Sequence, residues 1–220
     1  MRKIQILAMG LILINPGFAS KALALAQFSG TPGQEVKGVR LSEAAKVDDS
    51  PGSPALKRVT QGLRQKKVVI AKVSVYVAQV FSNGTADFES LDKLRASLQK
   101  SEPFILSMTF VRDVGIEKIA DAFKEAFDEN KVDGAKAPFS DFVSAVTKSG
   151  DVKDKQTYFF IFKQDGGKES ITFETNGKEW FSVKDAASGT QAQFLKLWLG
   201  KPVDSGVEQL QSQLLSKHVD

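Results

Sequence analysis

The feature that most constrains the fold is a run of three β-type segments in the last third of the chain. They read "QTYFFIFK", "ESITFET" and "EWFSVKD", and the linkers between them are "QDGG" and "NG". Asn-Gly between two such runs is typical of a type I′ hairpin turn, because both central residues of that turn need positive φ. The three segments therefore predict an antiparallel meander.

The remaining patterns predict strands and helices without a regular βαβ alternation. Residues 68–81 and "PFILSMTFVRDV" are rich in β-branched and apolar residues and predict strands. Apolar residues recur at helical spacing in "DFESLDKLRASLQKS", "GIEKIADAFKEAFDENK", "APFSDFVSAVTKSG", "TQAQFLKLWLG" and "PVDSGVEQLQSQLLSK". This order predicts an α+β fold, in which one largely antiparallel sheet has helices packed on one face.

Residues 1–26 are typical of a secretory signal peptide. Arg2 and Lys3 precede the apolar run "IQILAMGLILI", and a Pro-Gly break and small residues follow. Cleavage after Ala19 or after Ala26 fits, and Ala26 is preferred because alanine then occupies both the −3 and −1 positions. The run is short for a bilayer span, so we predict export to the periplasm with no stable membrane span after cleavage; an uncleaved anchor is the alternative.

Behind the leader, residues 27–56 are rich in Gly, Pro, Ser and Asp and predict an extended lead-in. Only "VKGVRLS" in this stretch is suited to an edge strand. The folded domain is predicted over residues 57–217.

Composition excludes several classes of function. There is no cysteine, and the only histidine is His218, so thiol nucleophiles, histidine-based triads and the usual zinc or haem sites are excluded. Three basic residues and no acid lie in residues 1–26, so the net charge falls from +4 to +1 on cleavage. Without a basic stripe, no nucleic-acid partner is expected. The glycines of "QDGG" and "NG" belong to predicted hairpin turns and do not precede a helix, so neither motif is a glycine-rich phosphate-binding loop. We expect no cofactor and no metal.

Arg64 and Tyr76 form the first candidate site, in the stretch "GLRQKKVVIAKVSVYVAQVF". Arg64 is interpreted as lying before one long strand that contains Tyr76, and even spacing places both residues on one face. A guanidinium there can hold an anion with two hydrogen bonds. The alternative is a surface arginine and a core tyrosine.

Two further residues have competing interpretations. Lys118 lies early in a helix, where a charged residue after Ile116 usually faces solvent. Trp198 lies on the inner face of its helix with Phe194, which favours core packing, with the lining of a ligand cavity as the alternative. Neither residue defines a site by itself.

Three segments together resemble the chalcone isomerase family, and more closely its bacterial exported chalcone isomerase-like branch. They are "GLRQKKVVIAKVSVYVAQVF", "LSMTFVRDVGIEKIADAF" and "FLKLWLGKPVDSGVEQLQSQLL", and the similarity covers about residues 35–217. The family fold is an open-faced β-sandwich, a large antiparallel sheet with a layer of helices on one face. A cleft between sheet and helices holds the ligand.

The resemblance also implies which catalytic residues the chain retains. The arginine that stabilises the attacking phenolate corresponds to Arg64, and the lysine on the following helix corresponds to Lys118. The other catalytic or substrate-contacting positions carry different residue types: Tyr76 for a threonine, Gly115 (or Ile116) for a tyrosine, Ala122 for an asparagine and Leu197 for a polar residue. Since the lost groups include hydrogen-bond donors to the developing oxyanion, we expect no flavanone-forming activity.

The same resemblance suggests a binding function instead. Plastid fatty-acid-binding members of the family hold a carboxylate with an arginine and a tyrosine at about these positions. Arg64 and Tyr76 are therefore predicted to bind the head group of a fatty acid or a similar amphipathic carboxylate, with Lys118 and Leu197 as further ligand-binding residues. The abundant phenylalanines suit an apolar tunnel for the tail.

Three hypotheses follow: a non-catalytic exported lipid binder, an intramolecular lyase of the chalcone isomerase type, and a ligand-free envelope interaction protein. If the first holds, Arg64→Ala should lower ligand affinity far more than stability.

Overall fold

The computed structural model describes residues 25–47 and 53–219, which form eight strands and five helices. The strands are β1 (Ala26–Val36), β2 (Val39–Val47), β3 (Leu56–Val68), β4 (Ala71–Ser82), β5 (Phe104–Phe110), β6 (Thr157–Asp165), β7 (Lys168–Thr175) and β8 (Lys178–Ala186). The helices are α1 (Leu91–Gln99), α2 (Ile116–Glu129), α3 (Phe139–Lys148), α4 (Thr190–Leu199) and α5 (Ser205–Ser216).

All eight strands form one antiparallel sheet in chain order, β1 to β8. The predicted meander is β6–β7–β8, with Asn176 and Gly177 both at positive φ in its second turn. The five predicted helices are present, and their apolar faces pack on one side of the sheet. The predicted α+β architecture is confirmed.

The core between sheet and helices is dominated by aromatic rings. Phe142 of α3 is fully buried at its centre. Its ring centroid lies 5.2 to 6.3 Å from those of Phe123, Phe127, Phe160, Phe173, Phe181 and Phe194. No helix in the described part of the chain combines the length and hydropathy needed to cross a bilayer.

The stretch predicted as an extended lead-in instead forms the β1–β2 hairpin. Apolar residues of this hairpin pack on the sheet face opposite the helices, where Phe28 contacts Phe81 and Phe159. Pro32 concealed β1 in the sequence, because proline usually interrupts a strand. Here it lies between two register shifts of an edge strand, which is a position where proline is tolerated in a sheet.

The first described residues bear on the predicted leader, which otherwise lies outside the described residues. Ala26 is buried, and its N–H donates to Oε2 of the buried Glu174 at 2.8 Å. Cleavage after Ala19 would keep this bond, whereas cleavage after Ala26 would remove the residue that donates it.

The segment interpreted as one strand with a basic approach is a hairpin of two long strands. Arg64 lies within β3, and Tyr76 lies opposite it in β4. The prediction of a single strand was wrong because the connecting residues, Val69 and Ile70, carry none of the Gly, Asn or Pro signals of a turn. The two side chains still share one face, since directly opposed residues of antiparallel strands point the same way.

Candidate ligand-binding site

A cavity of about 610 Å³ lies between the helix-covered face of the sheet and the helices α2, α4 and α5. Its volume is in the range of small-molecule sites, roughly 300–1,000 Å³. Most of the wall is apolar, and it includes Val68, Val73, Val75, Met108, Phe110, Val114, Ile119, Phe123, Ala126, Leu197, Trp198, Val203 and Val207. Such a wall suits the apolar part of a ligand.

Arg64 lies in the buried part of this cavity and already has protein partners. Its Nη2 donates to Oδ2 of Asp204 at 2.7 Å, and its Nη1 donates to the carbonyl oxygen of Gln65. The side chain is 10% exposed and that of Asp204 is 35% exposed. The guanidinium of Arg64 is therefore partly occupied by protein acceptors. It has five N–H donors, and these two bonds leave some of them available to a ligand.

Asp204 joins this arginine to helix α5. It is the N-cap residue of α5, and its Oδ1 accepts from the backbone N–H of Gly206 at 2.9 Å and of Val207 at 3.0 Å. Burial raises the pKa of Asp204, but the hydrogen bond from Val207 and the charge of Arg64 outweigh it, so the pKa is lowered overall. The carboxylate is ionised at neutral pH and neutralises part of the arginine charge.

The start of α5 lies very close to β3 because Gly206 has no side chain. A Cβ at Gly206 would overlap the carbonyl oxygen of Gln65 and the guanidinium of Arg64. The same close packing continues along the two elements, where the Thr60 hydroxyl donates to the Leu214 carbonyl oxygen. The position of Arg64 is consequently fixed by the helix as well as by its strand.

Tyr76 lies beside Arg64 at the same end of the cavity. Burial is the main reason that the pKa of Tyr76 is raised to about 12, and the negative charge of Asp204 adds to this rise. The positive charge of Arg64 and the polar N–H of the Trp198 side chain act in the opposite direction. The phenol is therefore neutral at physiological pH. A neutral phenol keeps its O–H proton, so Tyr76 can donate a hydrogen bond to a ligand.

We expect both tyrosines of the native protein to ionise at higher pH than an unfolded tyrosine does, Tyr76 near pH 12. The chain has two tyrosines, and burial raises the pKa of Tyr158 as well as that of Tyr76. An unfolded tyrosine titrates near pH 10. Because the folded pKa of Tyr76 is above this value, the fold favours the neutral phenol. Its contribution to stability is complete below about pH 10 and is lost as the pH rises towards 12.

Tyrosinate absorbance measured against pH, in native buffer and in denaturant, tests this expectation. Tyr76→Phe should remove one of the two delayed ionisations. A native titration centred near pH 10 would contradict the buried phenol.

The mouth of the cavity is bordered by exposed charged residues with an excess of free cations. Two of the three lining acids, Asp113 and Asp121, form ion pairs with Lys153 and Lys124, outside the cavity lining. The third, Glu125, is in no salt bridge within the described residues, and it is outnumbered by the three cations named next. Within residues 25–47 and 53–219, no salt bridge involves the lining cations Lys66, Arg112 and Lys118. The mouth is therefore suited to attract an anionic ligand.

The structure brings the four residues predicted to bind a ligand to this one cavity. Arg64 and Tyr76 are adjacent, while Lys118 lies at the mouth and Leu197 is on the α4 wall. Gly115 and Ala122, which the resemblance matches to a tyrosine and an asparagine of the family's enzymes, also line the cavity; Ile116, the alternative match for the tyrosine, is not among the lining residues. Lys118 is exposed, as expected for its helix position, and still borders the cavity.

Two features of the site were not anticipated from the sequence. Asp204 was missed as the partner of Arg64. "VDSG" before an apolar period is a recognisable N-cap signal, but only the fold brings that cap to β3. The phenylalanines were expected to line a tunnel. Among the described residues, only Phe110 and Phe123 line the cavity, and most of the other phenylalanines fill the core. Among the described residues, no cluster of potential ligands for a metal ion is found.

Comparison with known proteins gives the class of protein that this fold and cavity define. A sequence model of the chalcone isomerase-like family matches residues 33–216. The chain belongs to the chalcone isomerase-like family.

Among solved structures, a fatty-acid binding protein of Arabidopsis thaliana is similar, with a TM-score of 0.55 and 16% sequence identity, over 82% of this chain and 95% of that chain. At this identity the likeness shows the fold alone. No curated protein sequence matches the chain significantly.

Proposed function

We propose that this protein is an exported, non-catalytic binding protein for a fatty acid or a similar amphipathic carboxylate. One observation carries the proposal: a largely apolar cavity of about 610 Å³ contains a guanidinium and a phenol side by side in its wall. The Arabidopsis protein of similar fold is a fatty-acid binding protein, which supports the same class of ligand.

The apolar wall supplies the binding energy for the tail. Each buried methylene contributes about 0.8 kcal/mol, which corresponds to roughly a fourfold gain in affinity. Affinity should therefore rise with chain length until the cavity is filled.

Arg64 and Tyr76 are proposed to hold the head group. The ligand carboxylate shares the guanidinium with Asp204 and accepts a hydrogen bond from the neutral Tyr76 phenol. Lys118 at the mouth adds positive potential, and Leu197 contacts the tail. This arrangement predicts a preference for a carboxylate over an uncharged head group.

Binding without catalysis is favoured by the residue types at two cavity positions. Gly115 and Ala122 line the cavity, and by the resemblance they stand for a tyrosine (or Ile116 does) and an asparagine of the family's enzymes; neither offers a side-chain donor to a developing oxyanion. Cyclisation of a chalcone by the purified protein, lost in Arg64→Met, would replace this proposal with the lyase. The export signal in residues 1–26 supports a periplasmic location.

Ala122→Trp tests the cavity as the binding site. Ala122 is exposed at the mouth, so an indole there should obstruct entry without disturbing the core. We expect at least a tenfold loss of fatty-acid affinity in calorimetry. The matched control is Ala96→Trp, at an exposed position on α1 away from this cavity, and it should bind as the wild type does. Wild-type affinity in Ala122→Trp would contradict the proposal.

A further inference from the structure

The tip of the β3–β4 hairpin exposes a cluster of apolar side chains. Val68, Val69 and Ile70 are 51%, 84% and 95% exposed, and they are the large hydrophobic residues exposed within the described chain. Val68 pairs with Ala71, so Val69 and Ile70 form a two-residue loop that projects beyond the sheet. We call these three residues the apolar tip.

The turn chemistry of the apolar tip is unfavourable for folding. Val69 has a φ of 55°, which is a strained conformation for a β-branched residue. The other tight hairpins of the described sheet use glycine in their turns, at Gly38, at Gly166 with Gly167, and at Gly177. Because the apolar tip adds strain and is not buried, fold stability does not explain its composition.

Lysines surround the apolar tip without acidic partners. Lys66, Lys67 and Lys72 are exposed, and Lys67 pairs directly with Lys72 across the hairpin, where like charges repel. No acidic residue occurs from residue 57 to residue 86. Within the described chain none of these three lysines is in a salt bridge. Exposed aliphatic side chains ahead of a ring of lysines are complementary to an anionic lipid surface.

The apolar tip is continuous with the cavity. Val68 belongs to the tip and also lines the cavity, as do Lys66 and Val73 in the adjoining hairpin arms. A membrane that received the tip would lie next to one wall of the cavity.

We propose that the β3–β4 hairpin docks the protein on membranes that contain anionic phospholipid, by inserting Val69 and Ile70 among the lipids while Lys66, Lys67 and Lys72 contact the head groups. The docking proposal depends only on the residues of the β3–β4 hairpin. Its use for loading or releasing a lipid ligand rests on the proposed function.

Sedimentation of the protein with vesicles tests the docking. Phosphatidylcholine vesicles that contain phosphatidylglycerol should bind the protein, and vesicles of phosphatidylcholine alone should bind it much more weakly. Lys67→Gln with Lys72→Gln should weaken binding to the anionic vesicles about thirtyfold. Lys100→Gln with Lys184→Gln removes the same charge from exposed positions elsewhere and should have little effect.

The double variant Val69→Gly, Ile70→Asn separates docking from folding. Glycine adopts the positive φ of position 69 without strain, and Gly-Asn is a favoured two-residue hairpin loop, so this variant should melt at a higher temperature while losing more than tenfold in vesicle binding. Its affinity for a soluble fatty acid should be unchanged, so a failed docking proposal remains distinguishable from a failed binding function. Equal vesicle binding by the variant and the wild type would overturn the proposal. It would also be overturned if the variant only abolished self-association, because the tip would then bind a second copy of the chain.

Discussion

Arg64→Met should lower the affinity for a long-chain fatty acid about 10- to 100-fold and leave the affinity for the alcohol of equal chain length nearly unchanged. The expected loss follows from removing hydrogen bonds to a charged group, which contribute roughly 1.5–3 kcal/mol. The alcohol keeps its contacts with the apolar wall and does not need the guanidinium. Calorimetric titration of both ligands into both proteins measures the effect.

The same substitution should also reduce stability. Arg64 is buried and ion-paired with the N-cap of α5, so the sequence-based expectation of a small stability effect is revised. We expect a loss of roughly 1–3 kcal/mol, since the pair is only partly buried. Affinities must therefore be measured at temperatures where the variant is folded.

Asp204→Asn is the matched control for the ion pair. Asparagine can keep the cap bonds to Gly206 and Val207 while it removes the charge that competes for Arg64. Fatty-acid affinity should then stay the same or rise. A loss as large as in Arg64→Met would indicate that the ion pair acts only by holding α5 in place.

Phe142→Ala should lower the free energy of unfolding by about 3–5 kcal/mol, the usual cost of emptying a buried phenylalanine site. Phe142 is surrounded by other aromatic rings of the core and does not line the cavity. Denaturant unfolding measures the loss. Ligand affinity of the folded variant should remain close to that of the wild type.

Phe88→Ala is the corresponding control at a half-buried position, and it should cost clearly less. Since the expected loss at Phe142 is a large part of the stability of an ordinary domain, Phe142→Leu provides a variant that keeps more of the volume. A Phe142→Ala loss no greater than that of Phe88→Ala would contradict the tightly packed aromatic core.

Local patterns were sufficient to predict the helices and the C-terminal meander. Leu91, Leu94 and Leu98 mark α1 by their spacing, and Asn176-Gly177 marks a turn by its chemistry. The β3–β4 turn was missed because Val69 occupies a conformation that its side chain disfavours. A functional pressure on the apolar tip would explain why this turn departs from the ordinary rule.

The candidate site was only partly accessible to sequence reasoning. Arg64 and Tyr76 were singled out by their spacing and supported by the resemblance to the family, whereas Lys118 and Leu197 were assigned to ligand binding by the resemblance alone. All four line the cavity. The argument that placed Arg64 and Tyr76 on one strand was wrong, and their proximity comes from cross-strand pairing. Asp204 lies 140 residues from Arg64, and no local pattern predicts such a long-range ion pair.

The most direct test of the proposed head-group site is carbon-13 NMR of a fatty acid labelled at its carboxyl carbon. A carboxylate beside a guanidinium has a lowered pKa, so the bound signal should titrate at lower pH than that of the free acid. In Arg64→Met the bound titration should move back towards the free value. A bound carboxyl that titrates identically in wild type and Arg64→Met would place the head group elsewhere and contradict the account.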